Sequence, residues 1–283
     1  MSKTSLKRQP DIQLERRNKY ISRKSTDHVI VLSVTRLLVS SGKDILLVDR
    51  RTGTVLAEIQ LEYDPQQICL IGDNLAAAAL NIKPSYYRDS IQHKIKFITL
   101  NENSLHCDRN IDLKYNITGI ARHGNNNLVT SFDYYQAGVE IMSTNGAVIH
   151  RLDNGAAGQE LFTNPGCLTT SPDGSVFVFD SESPPSPTYQ VLKLDSRLNI
   201  QQTISSSLLE SPHGLFAINN DQLLFCNTNS VVLIRPSTCD ITVLLGEKQG
   251  IKNPTSIAFC KTQKKLFVAT WEPYDVVMVY KQT

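Results

Sequence analysis

The stretch that decides the fold runs from Ser211 to Val243. It opens with Ser211-Pro212-His213-Gly214-Leu215-Phe216 and continues through Leu223-Leu224-Phe225-Cys226, Val231-Val232-Leu233-Ile234 and Ile241-Thr242-Val243. Each run is short and rich in β-branched or aromatic residues, and turn residues separate it from the next. This pattern predicts four antiparallel strands joined by tight turns. A unit of this size matches one blade of a β-propeller.

The same pattern recurs along the chain and predicts six blades. Their approximate bounds are 28–61, 65–113, 117–152, 165–204, 212–243 and 254–280. Helices are not expected, because the apolar runs are four to six residues long and no segment shows a sustained period of 3.6 residues. The sequence therefore predicts an all-β, six-bladed propeller of four-stranded antiparallel blades.

The last unit is one strand short, while a spare strand-like segment precedes the first unit. An incomplete last blade would expose a ladder edge. We therefore expect a closing strand within residues 11–24 to complete the sixth blade. Residues 1–10 are basic and are predicted to form a disordered tail, so that 11–283 is one propeller domain.

Composition narrows the class of protein. The 283 residues include 29 Lys and Arg against 27 Asp and Glu, which is not the bulk charge of a polyanion binder. The sequence contains no run of 18 apolar residues, so no membrane span is predicted. Its polar N-terminus lacks the apolar core of a secretory signal. Six scattered cysteines in strand-like runs are typical of reduced, buried thiols. We expect a cytoplasmic protein, monomeric and without membrane contact; disulfides are the minority alternative.

Several motifs carry a resemblance to a known repeat. The entries Pro165-Gly166-Cys167-Leu168, Pro212-His213-Gly214-Leu215 and Pro254-Thr255-Ser256-Ile257, together with the run from Ser171 to Asp180, resemble the NHL repeat. The resemblance is clear over the last three units and weak over the first three. It implies a six-bladed propeller like those at the C-terminus of many tripartite-motif ubiquitin ligases, where the propeller recognises protein or RNA. The chain shows no zinc module and no coiled coil before the propeller.

One end of the predicted propeller is rich in aromatic residues. The first-strand positions that should line the channel mouth there are His28, Gln66, Thr118, Gly166, His213 and Thr255. The surrounding loops and blade connections, which include Tyr63 and Tyr115, hold most of the tyrosines and the only tryptophan. Such side chains dominate binding hot spots, although some are expected only to cap the ends of blades. The predicted partner-binding residues are Tyr86, Tyr87, Arg88, Tyr134, Tyr135, Tyr189, His213, Trp271 and Tyr274.

Charge on the same loops discriminates between partners. Acidic residues clearly outnumber Lys and Arg there, so the predicted face repels phosphates. An acidic, tyrosine-rich face suits a protein or peptide with basic residues. RNA binding, which the NHL resemblance implies as the alternative, is disfavoured except through the basic residues of the N-terminus.

An enzyme is the third hypothesis. Some six-bladed propellers are metal-dependent lactonases or lyases, and the entry at His213 resembles the lyase type. Zinc needs at least three convergent ligands and calcium needs several carboxylates. At the mouth only His28 and His213 are candidates, while Asp133, Asp180 and Asn227 at the ends of second strands are expected to cap turns. We therefore expect no catalytic residues, no metal and no cofactor.

Overall fold

The computed structural model describes residues 6–14, 25–81, 93–134, 136–153, 155, 158–181, 188–211, 213–272 and 276–282; Tyr134 and Gln136 are described only as backbone. Nearly all regular structure in these ranges is β-strand, with one 3₁₀ turn at Glu247–Gln249. The strands are β1 Leu6–Arg8, β2 Ile12–Gln13, β3 His28–Val31, β4 Arg36–Ser41, β5 Asp44–Asp49, β6 Val55–Gln60, β7 Pro65–Gly72, β8 Leu75–Leu80, β9 His93–Leu100, β10 Leu105–Leu113, β11 Ile117–His123, β12 Asn127–Tyr134, β13 Gln136–Ser143, β14 Val148–Leu152, β15 Pro165–Thr170, β16 Val176–Ser181, β17 Tyr189–Leu194, β18 Ile200–Ser205, β19 Gly214–Asn219, β20 Gln222–Cys226, β21 Val231–Arg235, β22 Asp240–Leu245, β23 Pro254–Cys260, β24 Lys265–Thr270 and β25 Val276–Gln282.

These strands form six antiparallel sheets, the blades of a six-bladed β-propeller. Blade 1 is β3–β6, blade 2 is β7–β10, blade 3 is β11–β14, blade 4 is β15–β18 and blade 5 is β19–β22. Blade 6 is β23–β25 with β1 and β2 paired to β25. The predicted fold class is thereby confirmed. Within the described part of the chain, no helix has the length and apolarity needed to cross a membrane.

The chain divides into two compact units of three blades each. The first comprises residues 1–62, 101–105 and 213–283, and so contains blades 5, 6 and 1. Its core has two layers. One joins blades 6 and 1 around residues such as Leu46, Val48, Phe267 and Val279. The other joins blades 5 and 6 and includes the fully buried Tyr280.

The second unit comprises residues 63–100 and 106–212 and contains blades 2, 3 and 4. Its layers also lie between neighbouring blades. Phe97 and Met142 belong to the layer of blades 2 and 3, and Leu168 and Leu192 to that of blades 3 and 4. Consecutive residues of the middle strands are buried, as in residues 76–80 of β8 and Val176–Ser181 of β16, so both faces of these strands are covered. Strands buried on both faces read as the short, nearly continuous apolar runs seen in the sequence.

The closing strand begins earlier than the sequence suggests. Leu6–Arg8 pairs antiparallel with β25, placing Leu6 opposite Gln282, and Ile12–Gln13 pairs with β25 at Val276 and Val277. The expectation of a disordered tail over residues 1–10 is therefore wrong at β1. Pro10 has no N–H to donate, which accounts for the interruption between the two segments. Leu6 packs against the layer of blades 5 and 6.

The second segment of the closing strand is anchored by burial. Ile12 and Leu14 are 8% and 5% exposed and belong to the layer of blades 6 and 1. Gly53 of blade 1 has φ +78, and a Cβ there would lie 2.0 Å from the carbonyl oxygen of Gln13. Glycine is therefore required where the turn of blade 1 meets this segment. Residues 15–24 of the predicted closing strand lie outside the described ranges.

This burial makes Leu14 a test of the closing segment. We expect Leu14→Ala to lower the free energy of unfolding by about 2–4 kcal/mol, because it removes buried methyl groups and leaves a cavity. Chemical denaturation measures the change. The control is Val34→Ala, since Val34 is 52% exposed in a turn and its truncation should cost less than about 0.5 kcal/mol. Equal losses in both variants would contradict the assigned packing of Leu14.

Candidate functional site

A pocket of about 350 Å³ opens at the end of blades 5 and 6 where their first strands begin. The described residues that line it all belong to the first unit: His213, Asn253, Thr255, Trp271 and Glu272. The pocket thus brings together two residues predicted from sequence, His213 and Trp271, which are far apart in the chain. We call it the His213–Trp271 pocket.

The position of His213 follows from its two neighbours. Its backbone N–H donates to the carbonyl oxygen of Cys226, 3.2 Å away, which extends the pairing of β19 and β20 by one residue. The next residue, Gly214, allows β19 to approach β23 closely. A Cβ at Gly214 would lie 3.0 Å from the carbonyl oxygen of Thr255. The close approach at Gly214 therefore places His213, the residue directly before it, beside the first strand of the next blade, where it lines the pocket together with Thr255.

The imidazole itself is exposed at the pocket. Its pKa nevertheless lies below the ordinary value, because the surrounding blades remove part of its hydration and so disfavour the charged form. At neutral pH the pocket therefore contains a neutral imidazole, which can both donate and accept a hydrogen bond.

Asn253 fixes the position of Trp271. It has a φ of 44°, in the left-handed region that Asn tolerates. Its N–H donates to the carbonyl oxygen of Thr228 at 3.0 Å, and its own carbonyl accepts the N–H of Trp271 at 3.0 Å. Asn253 thus ties the β20–β21 turn of blade 5 to the end of β24. The Trp271 side chain remains 57% exposed.

The other side of the pocket is held by Thr255. Its hydroxyl donates to the carbonyl oxygen of Thr26 at 2.6 Å. One residue along, the hydroxyl of Ser256 accepts the N–H of Val29 at 3.2 Å. These bonds connect blade 6 to the first strand of blade 1. The base of the pocket is therefore cross-linked by hydrogen bonds, and the Trp271 ring beside it is exposed.

The remaining predicted partner-binding residues fall into two groups. Tyr189 begins β17 and is half-buried, with its ring 5.8 Å from that of Phe179, so part of its surface serves packing. The others lie outside the described residues, or, for Tyr134, outside the described side chains. They are Tyr86, Tyr87, Arg88, Tyr134, Tyr135 and Tyr274.

Tyr115, which the sequence groups with the binding loops, has a structural role. Its hydroxyl donates to the carboxylate of Glu140, a fully buried residue of β13, and its ring lies 5.1 Å from Phe132. Arg151 lies 3.6 Å from the same carboxylate and 4.1 Å from the centre of the Phe132 ring. Burial raises the pKa of Glu140 despite these partners. The contacts fix the connection before β11 instead of exposing Tyr115.

In the second unit, positions predicted to line the channel mouth also make hydrogen bonds within the fold. The Thr118 hydroxyl is 3.0 Å from that of Ser131, which donates to the carbonyl of Gly166 at 2.6 Å. In the first unit, His28 is only 9% exposed. Gln66 is exposed, but the neighbouring Gln67 makes the longer-range contacts.

Sequence reasoning missed Gln67 as well as the pocket residue Asn253. The Gln67 amide N–H donates to the carbonyl of Leu168 at 2.9 Å, and its amide oxygen accepts the N–H of Ile120 at 3.1 Å. One side chain thus joins the first strands of blades 2, 3 and 4. Gly119 leaves room for it, since a Cβ there would lie 2.9 Å from the Gln67 oxygen. The signal in the sequence is an amide directly before the apolar run Ile68-Cys69-Leu70.

Two comparisons found no match: no protein-family model and no curated protein sequence matches the chain. Among solved structures, the β-propeller domain of Cps50 (Swd1) from Myceliophteria thermophila has a TM-score of 0.59 at 12% identity, covering 91% of this chain and 84% of that domain. A protein of unknown function from Bacteroides caccae has a TM-score of 0.61 at 11% identity, covering 85% of this chain and 84% of that one. The similarity is one of fold. The NHL resemblance is carried by the quoted motifs alone.

The carboxylates and amide at the ends of second strands form capping contacts. Asp180 accepts the N–H groups of Asn164 at 2.8 Å and Thr163 at 3.2 Å, and Asp133 accepts from the Asn116 amide. Asn227 donates to the Ser230 hydroxyl at 3.3 Å. Burial raises the pKa of both aspartates.

Across the described residues, no three His, Cys, Asp or Glu side chains are grouped so that they could hold a metal ion. All six cysteines are free thiols.

The lowered pKa of His213 predicts a pH dependence of stability. The folded protein binds a proton at His213 less readily than the unfolded chain does, so stability is lost as pH falls through the ordinary histidine pKa of about 6.5. We expect His213→Gln to lose less stability than the wild type between pH 7.5 and pH 5.5. Thermal midpoints at both pH values measure the difference. Identical pH dependence in the two proteins would contradict the assignment.

Proposed function

We propose that the protein is a non-catalytic protein- or peptide-binding module whose partner engages the His213–Trp271 pocket. The observation that carries the proposal is the exposed Trp271, whose backbone is held by Asn253 at the rim of a pocket. A large aromatic side chain with a fixed backbone loses little conformational entropy when it is covered, which is why Trp is frequent at binding hot spots.

The lining favours a partner with a basic side chain. The Trp271 ring attracts a cation through its quadrupole, and the neighbouring carboxylate of Glu272 lines the same pocket. Neutral His213 and the amide of Asn253 add hydrogen-bonding groups without positive charge. A lysine or arginine side chain of a peptide thus fits the charge of the pocket at neutral pH.

The motifs that resemble the NHL repeat support a finer proposal. They include the entry that carries His213 and the entry that carries Thr255, and both residues line the pocket. On that basis we propose that the module is a relative of the substrate-recognition propellers of tripartite-motif ubiquitin ligases. RNA binding, the function of other NHL propellers, is the alternative that the test below distinguishes.

The test uses an array of short peptides that contain Lys or Arg, with neutral and acidic peptides beside them. The wild-type protein should retain basic peptides preferentially. Trp271→Ala should weaken retention at least tenfold, equivalent to about 1.4 kcal/mol, and Glu272→Gln should weaken it in the same direction. Thermal midpoints should change by less than about 3 °C, because the Trp271 side chain is mostly exposed.

Ile149→Ala is the matched control. Ile149 is 56% exposed on β14 of blade 3, away from the pocket residues in the chain, and its truncation should leave peptide retention unchanged. Equal losses in the control and in Trp271→Ala would contradict the proposal. A random RNA pool, retained by the wild type and lost in Trp271→Ala, would favour RNA as the ligand of the pocket.

A further inference from the structure

Three lysines occupy one row across blade 6. Lys7 of β1 is the direct partner of Lys281 of β25, and Lys281 is the direct partner of Lys265 of β24. Directly opposed residues of antiparallel strands point to the same side of the sheet, and neighbouring strands are about 4.8 Å apart. The three ammonium groups therefore project from one face within a span of about 10 Å. We call this set the lysine row.

The row carries charge that the fold leaves uncompensated. Lys7 and Lys281 are exposed and Lys265 is partly exposed. Like charges directly opposite each other destabilise a sheet. In the described ranges, none of the three lysines forms an ion pair. The nearby carboxylate of Asp11 pairs instead with Arg8 at 2.7 Å, and Arg8 follows Lys7 directly, so it points to the opposite face.

Arg50 of blade 1 adds a positive charge next to the lysine row, on the same face of blade 6. The Arg50 guanidinium lies 4.7 Å from the centre of the Phe267 ring. Phe267 is two residues from Lys265 and so shares its face of the sheet. Arg50 is 9% exposed and donates to the Ser33 carbonyl and the Gln263 amide oxygen, which are both neutral. Over the described ranges it has no carboxylate partner.

Protection of a sheet edge explains only part of this arrangement. A lysine on an edge strand discourages pairing with another chain, which suits Lys7 on β1. Lys281 and Lys265 lie on β25 and β24, which are paired on both sides, and they protect no edge. Edge protection therefore does not account for two of the three positions.

We propose that the lysine row binds a compact oligophosphate, a group with at least three phosphates close together. Lysine ammonium groups act as point charges and suit phosphate oxygens, whereas planar carboxylates favour the arginine fork. The backbone groups of β24 and β25 are already paired, so an extended acidic peptide could gain only side-chain contacts there. Nucleic-acid binding gains affinity from each phosphate that a lysine or arginine neutralises, so three cations supply only a small part of that affinity at physiological salt.

The lysine row is separate from the His213–Trp271 pocket. Lys265 begins β24 and Trp271 directly follows its end, so at about 3.3 Å per residue the two are roughly 20 Å apart along the strand. The oligophosphate proposal therefore does not depend on the protein-binding one. A bound oligophosphate would also neutralise the repulsion within the row, so it should raise the thermal midpoint of the wild type.

Isothermal titration with inorganic tripolyphosphate tests the proposal. The row variant carries Lys7→Gln, Lys265→Gln and Lys281→Gln; the control carries Lys114→Gln, Lys248→Gln and Lys252→Gln, three exposed lysines outside the row. Both lose the same charge. We expect the row variant to bind at least 30-fold more weakly than the wild type, and the control to bind within threefold of it. Thermal midpoints without ligand should not fall in the row variant, because like-charge contacts are removed.

Two results would overturn the proposal: no heat of tripolyphosphate binding with the wild type, or equal weakening in both variants. Orthophosphate should bind at least tenfold more weakly than tripolyphosphate, and equal affinities would refute the need for several phosphates.

Vesicles containing a lipid with a polyphosphorylated inositol headgroup show whether the phosphates belong to a membrane lipid or to a soluble ligand. Binding to tripolyphosphate and to vesicles supports a membrane headgroup, whereas binding to tripolyphosphate alone supports a soluble ligand. RNA that binds more tightly than tripolyphosphate and is lost in the row variant would assign the row to nucleic acid and refute the proposal.

Discussion

The last blade of this protein depends on pairing between the two ends of the chain. β25 ends at Gln282, and the strands that cover its outer edge come from Leu6–Arg8 and Ile12–Gln13. The pairing has few backbone hydrogen bonds because both segments are short. Its stability comes instead from burial: Leu6 contacts one core layer, while Ile12 and Leu14 contact the other. A sheet edge that would otherwise be exposed thus becomes the place where two layers are held together.

The two surfaces to which we assign function lie at the two ends of blade 6. At one end, the bonds from Thr255 to Thr26 and from Val29 to Ser256 connect its first strand to blade 1, and they support the His213–Trp271 pocket. At the other end, β1 brings Lys7 into register with Lys281 and Lys265. The same short pairing that completes the blade therefore assembles a positively charged surface from distant parts of the chain. Without β1 the row would have only two members.

Polar side chains in this fold mostly serve its construction. Gln67 links three first strands, Asp180 caps a blade entry, and Tyr115 with Glu140 and Arg151 fixes a connection. Each satisfies buried backbone or side-chain groups that would otherwise cost free energy. The exposed or partly exposed side chains of Trp271 at the His213–Trp271 pocket and of Lys265 and Lys281 in the lysine row differ from these, since no hydrogen bond or ion pair among the described residues accounts for their placement. That contrast is the reason for placing function at these two surfaces.

The sequence by itself determined the blades, because strand periodicity and turn residues are local properties that leave a pattern in any single repeat. It also indicated His213 and Trp271, since a Pro-His-Gly entry and a lone tryptophan in a loop are visible without a fold. It could not show that the Tyr115 hydroxyl donates to the buried carboxylate of Glu140 or that the Gln67 amide donates to Leu168. The first contact joins a blade connection to a strand 25 residues later, and the second joins different blades, so neither leaves a local pattern in the sequence. It placed the closing strand too late, since Leu6 is recognisable as a core residue only once the layer beneath it exists. The lysine row was decided by tertiary structure alone: Lys7, Lys265 and Lys281 are unremarkable in the chain, and only the register of three strands brings their charges together.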